Sequence, residues 1–166
     1  MKSAVATGLK AANSPIEWAT IADGILYTAQ IPMKADGSIE TGDIGVQTEL
    51  TLRNLKQTVE AAGGTMADVT QVLVYLPDPA DFPGMNAVYQ RHFPKPYPNR
   101  ATVIARLMVG GARIEIVAYA HVGKAGAARP QAKAAAKRAT KAAPAGKAKP
   151  AARAKPAARA PARRGR

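Results

Sequence analysis

Two charged residues stand in apolar, strand-forming contexts 15 positions apart: Arg100, in Pro98-Asn99-Arg100-Ala101-Thr102-Val103, and Glu115, between Ile114 and Ile116. A guanidinium stays charged at any working pH and grips a carboxylate through two parallel hydrogen bonds. Arg100 is therefore the first candidate for holding an anionic ligand. A surface ion pair or a subunit contact is the other use for such an arginine. A carboxylate in the middle of an apolar strand needs compensation, because an unpaired buried charge is costly. Pairing with an arginine is one reason for Glu115 to stand there. The remaining inventory is sparse. The chain has no cysteine, which excludes disulfides, thiolate nucleophiles and Cys-type zinc sites. Its two histidines, His92 and His121, are too few for a multi-histidine metal site and are isolated from each other in the sequence, so they offer no evident acid–base pair.

The elements that must position these residues read as ββαβαββ. Ile25–Ile31 is a strand of β formers that follows an Asp23-Gly24 turn signal, and an earlier strand near Trp18–Ile21 completes a hairpin. Asp43 caps a helix running to about Ala62, where Leu52, Leu55, Val59 and Ala62 make one apolar stripe and Gly63-Gly64 ends it. Val69–Leu76 is a strongly apolar strand stopped by Pro77-Asp78-Pro79. Asp81 caps a second helix, with Pro83 in its first turn and Phe82, Met85, Val88, Tyr89 and Phe93 on its buried side. Two strands close the domain, Ala101–Leu107 and Arg113–Val122, joined across Gly110-Gly111. The expected class is α+β: a mixed β-sheet with two helices on one face. Two helices leave the other face uncovered, and Val72, Val74, Val103, Ala105, Ile114 and Ile116 suggest that it is apolar. A symmetric oligomer would bury it.

The net charge of +13 is unevenly divided. Residues 1–123 hold 10 of the 24 Lys/Arg and all 11 Asp/Glu, for a net of −1, whereas residues 124–166 hold the other 14 basic residues and no acid. That segment is almost entirely Ala, Lys, Arg, Pro and Gly, and repeats Lys-Pro-Ala-Ala-Arg-Ala at 149–154 and 155–160. It lacks Leu, Ile, Val, Phe, Met and aromatics, so the expectation is a disordered C-terminal tail. Such a tail would lie along DNA or RNA phosphates without reading bases, in a steeply salt-dependent way; the bland alternative is a solubilising tail. The expected division is an N-terminal extension at 1–13, a folded domain at 14–123 and the basic tail at 124–166. No apolar run approaches the ~18–20 residues that cross a bilayer, and residues 1–14 lack signal-peptide character. The expected location is the cytoplasm, with no membrane partner and with the tail as a route to the nucleoid.

Over about residues 14–122 the sequence resembles the Rid (YjgF/YER057c/UK114) family. The resemblance is carried by Leu26-Tyr27-Thr28-Ala29-Gln30-Ile31-Pro32, by Gln47, Asn54 and Leu55 with Ala61-Ala62-Gly63, and by Asp68-Val69 through Tyr75-Leu76. Phe82 through Asn86-Ala87-Val88-Tyr89 and Phe93 continue it. The sharpest part is Pro98-Asn99-Arg100-Ala101-Thr102-Val103 followed by Ala105-Arg106-Leu107 and Ile114-Glu115-Ile116. Three positions depart from the family pattern: Ala29 where glycine is usual, Ile16 where an aromatic is usual, and Met108 where proline is usual.

The resemblance implies a homotrimer with clefts between neighbouring subunits, and hydrolytic deamination of enamine or imine intermediates such as 2-aminoacrylate and 2-iminobutyrate to 2-keto acids and ammonia, without metal or cofactor. It assigns Arg100 to the substrate carboxylate and Glu115 to the attacking water. It brings Thr102, Asn86, Thr28 and Ile16 to the substrate site. Asn86 could equally be a packing amide, and Thr28 and Thr102 plain strand residues. Three functions compete: a deaminase of small 2-imino acids, a nucleic-acid-binding protein (ribonuclease-like relatives included) that presents tails on a trimeric body, and a scaffold without chemistry.

Overall fold

The computed structural model describes residues 1–123, and the expected disordered tail at 124–166 lies outside them. Two short strands, β2 (Ala19–Ala22) and β3 (Ile25–Gln30), form the expected hairpin. Its turn residues Asp23 and Gly24 both have positive φ, 51° and 78°, the backbone that a tight two-residue hairpin of this kind needs. Ahead of them β1 (Ser3–Ala4) adds an edge strand antiparallel to β2. The first thirteen residues are thus attached to the domain. Gln57 Nε2 donates to the Thr7 carbonyl at 2.9 Å and Trp18 Nε1 to the Lys10 carbonyl at 2.7 Å.

Helix α1 (Ile44–Ala61) begins where Asp43 Oδ1 accepts from the Val46 amide at 3.0 Å. It ends at Gly63, whose φ of 81° turns the chain so that the Gly64 amide reaches the Val59 carbonyl. Leu52, Leu55 and Val59 are fully buried against the sheet. Strand β4 (Val69–Leu76) leads through a single 3-10 turn, Pro79–Asp81, into α2 (Phe82–His92). The chain then returns as β5 (Asn99–Ile104), parallel to β4, and closes with β6 (Glu115–His121), antiparallel to both β3 and β4. The strand order is β1-β2-β3-β6-β4-β5, a mixed sheet with two helices, as expected.

Two expectations are corrected. Val72, Val74, Ile114 and Ile116 are all fully buried and belong to the helix-covered face. Successive residues of a strand alternate faces, so the open face carries the other set: Tyr27 and Ala29 on β3, Leu73 and Tyr75 on β4, Ala101 and Val103 on β5, Val117 and Tyr119 on β6. It remains apolar, with Val103 46% exposed and Tyr27 set edge-on against Tyr119 at 5.5 Å. Second, Asp81 occupies the position before α2 but makes no capping hydrogen bond. Its buried carboxylate instead accepts two hydrogen bonds from Arg113, from Nε at 2.9 Å and Nη2 at 2.5 Å, and Asp78 caps the preceding turn through the Ala80 amide. A carboxylate that deep needs a cation more than it needs a backbone amide.

Candidate functional site

Arg100 lies on β5 opposite Val72, on the face toward α2. Its guanidinium is spread over Tyr89, 4.5 Å from the ring centroid, and near Phe82 at 5.7 Å, with Nη1 4.0 Å from Met85 Sδ. These contacts leave its in-plane N–H groups without a carboxylate: among the described residues Arg100 forms no ion pair. Beside it opens a cavity of about 570 Å³ lined by Pro83, Asn86, Tyr89, Tyr97, Pro98 and Arg100, among others. Asn86 and Tyr89 share it because residues three apart fall on one helix face. The Tyr89 hydroxyl is buried without a hydrogen-bond partner, and burial pushes its pKa up to about 12 against the opposing pull of Arg100. Sequence reasoning took Tyr89 for core alone; the spacing from Asn86 was the available signal.

Glu115 begins β6 on the open face, opposite Tyr75. It is half-buried, makes no ion pair among the described residues, and burial raises its pKa above the ordinary 4.5. The ion pair that sequence reasoning allowed for it is made two residues earlier, by Arg113. Glu115 lines a second cavity of about 500 Å³, walled by Lys10 to Ser14, Ile16, Trp18, Ala29, Ile31, Met33, Ile39, Met108 and Val109. Ile16, Ala29 and Met108, the three departures from the family pattern, meet in this one cavity.

The two cavities belong to different faces of the sheet. Arg100 pairs with Val72 and Glu115 with Tyr75, three residues further along β4. At ~3.3 Å per residue and ~4.8 Å per strand spacing, their backbones lie roughly 14 Å apart. Asn86 sits with Arg100 and Ile16 sits with Glu115. Thr102 lies opposite Val74, two residues beyond Arg100 on the same face. Thr28 joins neither group. It is buried, donating to the Trp18 carbonyl at 2.7 Å and accepting from Gln30 Nε2 at 2.9 Å. His92 Nε2 is 3.0 Å from Glu49 Oε2 in a cluster with Arg53 and Arg91, and that hydrogen bond lowers the Glu49 pKa. His121 is exposed at the far end of β6.

A network holds the segment that delivers Glu115. Gln47 Oε1 accepts from the Arg113 amide at 2.7 Å, and Gln47 Nε2 donates to the Gly111 carbonyl at 3.0 Å. Arg113 then reaches Asp81 at the head of α2, one residue before Phe82. Asp81 thereby connects the element under Arg100 to the element bearing Glu115.

The fold and these two partial pockets define a class: a small α+β domain with an uncovered apolar sheet face and an unpaired arginine and glutamate on opposite sides of the sheet. Residues 7–122 match the model of the family described as Endoribonuclease L-PSP, and the chain belongs to that family, the Rid (YjgF) proteins. Among solved structures it is similar to RidA from an Antarctic Psychrobacter, at 27% identity and a TM-score of 0.67 over 72% of this chain and 98% of that one. It is similar to E. coli TdcF with bound serine, at 28% identity and 0.65 over 72% and 98%. Yeast Mmf1 matches at 25% identity and 0.70 over 74% and 100%. No helix among the described residues is long and apolar enough to cross a membrane.

Proposed function

We propose that the protein hydrolyses 2-imino acids and their enamine tautomers, of the 2-aminoacrylate and 2-iminobutyrate type, to 2-keto acids and ammonia, at a site shared between subunits of a homotrimer. The observation that carries this reading is Arg100: a guanidinium over the Tyr89 ring and near Phe82, beside a cavity, with no carboxylate partner among the described residues. The α-carboxylate of an imino acid fits that fork. TdcF, a relative of this chain, has been crystallised with serine, itself an α-carboxylate.

The chemistry asks little more than positioning. Water adds to the imine carbon, the C–O bond forms, and the π pair moves to nitrogen. Glu115 takes a proton from the attacking water and passes it to that nitrogen, giving a carbinolamine. The carbinolamine hydroxyl then becomes a carbonyl, its proton passes to the nitrogen, and the C–N bond breaks to release ammonia. Bringing water and an electrophilic carbon into line supplies much of the rate. Within one subunit Arg100 and Glu115 face opposite sides of the sheet, too far apart for one small substrate. The reading therefore requires a homotrimer in which Arg100, on the edge strand β5, reaches the Glu115 of the next subunit.

Purified protein is mixed with an amino-acid oxidase that generates the imine, and semicarbazide traps what remains. Wild type lowers the trapped imine, and Arg100→Ala loses about 100-fold or more in kcat/KM. Undiminished activity in that variant would refute the assignment.

The tail supports a second, compatible activity: binding of nucleic-acid backbones by residues 124–166, which carry all of the chain's excess positive charge. The described chain leaves the sheet beside Gly24, where the Val122 amide meets the Gly24 carbonyl, roughly 20 Å along β6 from Glu115. Truncation after residue 123 is expected to abolish salt-sensitive DNA binding and to preserve imine hydrolysis. DNA binding that survives truncation at ~0.2 M salt would contradict it.

A further inference from the structure

Strand β6 carries the chain out of the described residues. It is a central strand, hydrogen-bonded to β3 on one side and β4 on the other, and just past its end the Val122 amide donates to the Gly24 carbonyl at 2.9 Å. The root of the basic segment 124–166 is thus fixed to the middle of the sheet rather than to a fraying edge. A cyclic trimer relates its subunits by rotation about one axis, which leaves height along that axis unchanged. Its three roots therefore lie at one level, at the same end of the assembly, a third of a turn apart.

Each segment carries 14 basic residues and no acid, on a body of net −1. At one phosphate charge per ~1.7 Å, a single segment matches about 14 phosphates, or roughly 24 Å of duplex. Residues 124–166 can span at most about 150 Å, which puts a neighbouring duplex within reach. Two segments that engage one duplex leave the third, held beside them at high effective concentration, for another.

We propose that the assembled protein bridges DNA: three cationic segments rooted at one end of a homotrimer tie separate duplexes together. The proposal rests on the homotrimer and on binding by residues 124–166, and goes beyond both, since binding by one segment needs no second duplex. Duplex DNA is the favoured partner because each phosphate neutralised there gives a salt slope of about −0.9, against about −0.7 on a single strand. Glu115 lies at the opposite end of β6, so imine hydrolysis is expected to continue unchanged on bridged DNA.

Full-length protein is mixed with bead-tethered duplex DNA and a fluorescent free duplex at about 0.15 M salt. Tail charge is kept about tenfold below phosphate charge, so that neutralisation alone does not precipitate the DNA. Full-length protein is expected to bring the fluorescent duplex onto the beads. The peptide 124–166, at the same tail concentration, is expected to shift DNA in a gel and yet to recover at least ~10-fold less. Protein truncated after residue 123 is expected to recover none. Equal recovery by peptide and full-length protein, or a one-subunit mass by light scattering, overturns the trivalent bridge. A gel shift by full-length protein without recovery on the beads overturns bridging and leaves binding by residues 124–166 standing, whereas no gel shift overturns both. Recovery of single-stranded RNA in preference to duplex DNA overturns the choice of partner.

Discussion

Replacing Asp81 tests whether one buried ion pair holds both halves of the site. The Asp81 side chain is 5% exposed and receives both fork hydrogen bonds of Arg113, whose own side chain is 46% exposed. Breaking a wholly buried pair costs about 3–5 kcal/mol, because the surviving partner is stranded without water. In Asp81→Ala the survivor is Arg113, which solvent can rehydrate. The loss then shrinks to the two charge-assisted hydrogen bonds less that rehydration, about 2 kcal/mol. For a domain of this size that is a fall of roughly 8 °C in Tm. Thermal and urea unfolding measure it, with Arg53→Ala, which removes the exposed Arg53–Glu49 pair, as a control that should leave the midpoint in place. The same variant loosens the start of α2, where Phe82 lies near Arg100, and the approach to Glu115, so kcat/KM should fall for every imine alike. An Asp81→Ala protein as stable as wild type would refute the reasoning.

Glu115→Gln should separate stability from activity. Burial raises the Glu115 pKa above 4.5, so folding favours its protonated form; that contribution is full below 4.5 and is lost as pH rises through the raised value. The glutamine variant should therefore match wild type in acid, unfold at a higher temperature at pH 7, and be inactive in the semicarbazide assay. Glu49 has the opposite sign: the hydrogen bond from His92 lowers its pKa, so its contribution is present above 4.5 and disappears as pH falls through the lowered value. Glu49→Gln should accordingly be less stable than wild type at pH 7 and indistinguishable from it in strong acid, by thermal unfolding. Thr28→Val removes the donor to the Trp18 carbonyl and should cost about 1–2 kcal/mol in urea unfolding.

What was legible in the sequence was what is local. The limits of α1 follow from Asp43 at one end and Gly63 at the other, and the β2–β3 hairpin from Asp23-Gly24. Arg100 and Glu115 stood out because each is a charge in an apolar strand. What escaped depends on partners distant in the chain. Both faces of β4 are apolar, so its sequence does not say whether Val72 or Leu73 meets the helices, and on β4 and β6 the open face was assigned to the wrong parity, whereas Val103 on β5 does lie on it. Asp81 has the residue type and position of a cap, and only Arg113, 32 residues away, takes its carboxylate elsewhere. Strand β1 is two residues long and carries no periodicity. The opposite facing of Arg100 and Glu115 follows from strand registers that no spacing along the chain encodes.

The shared-site account is tested most directly by mixing two inactive proteins, Arg100→Ala and Glu115→Gln, under conditions that exchange subunits. If each site takes its arginine from one subunit and its glutamate from the next, random mixing rebuilds about a quarter of the sites, and about a quarter of wild-type imine hydrolysis returns. If the mixture stays as inactive as its components while wild-type subunits exchanged the same way keep their activity, Arg100 and Glu115 do not meet across a subunit boundary and the account is wrong.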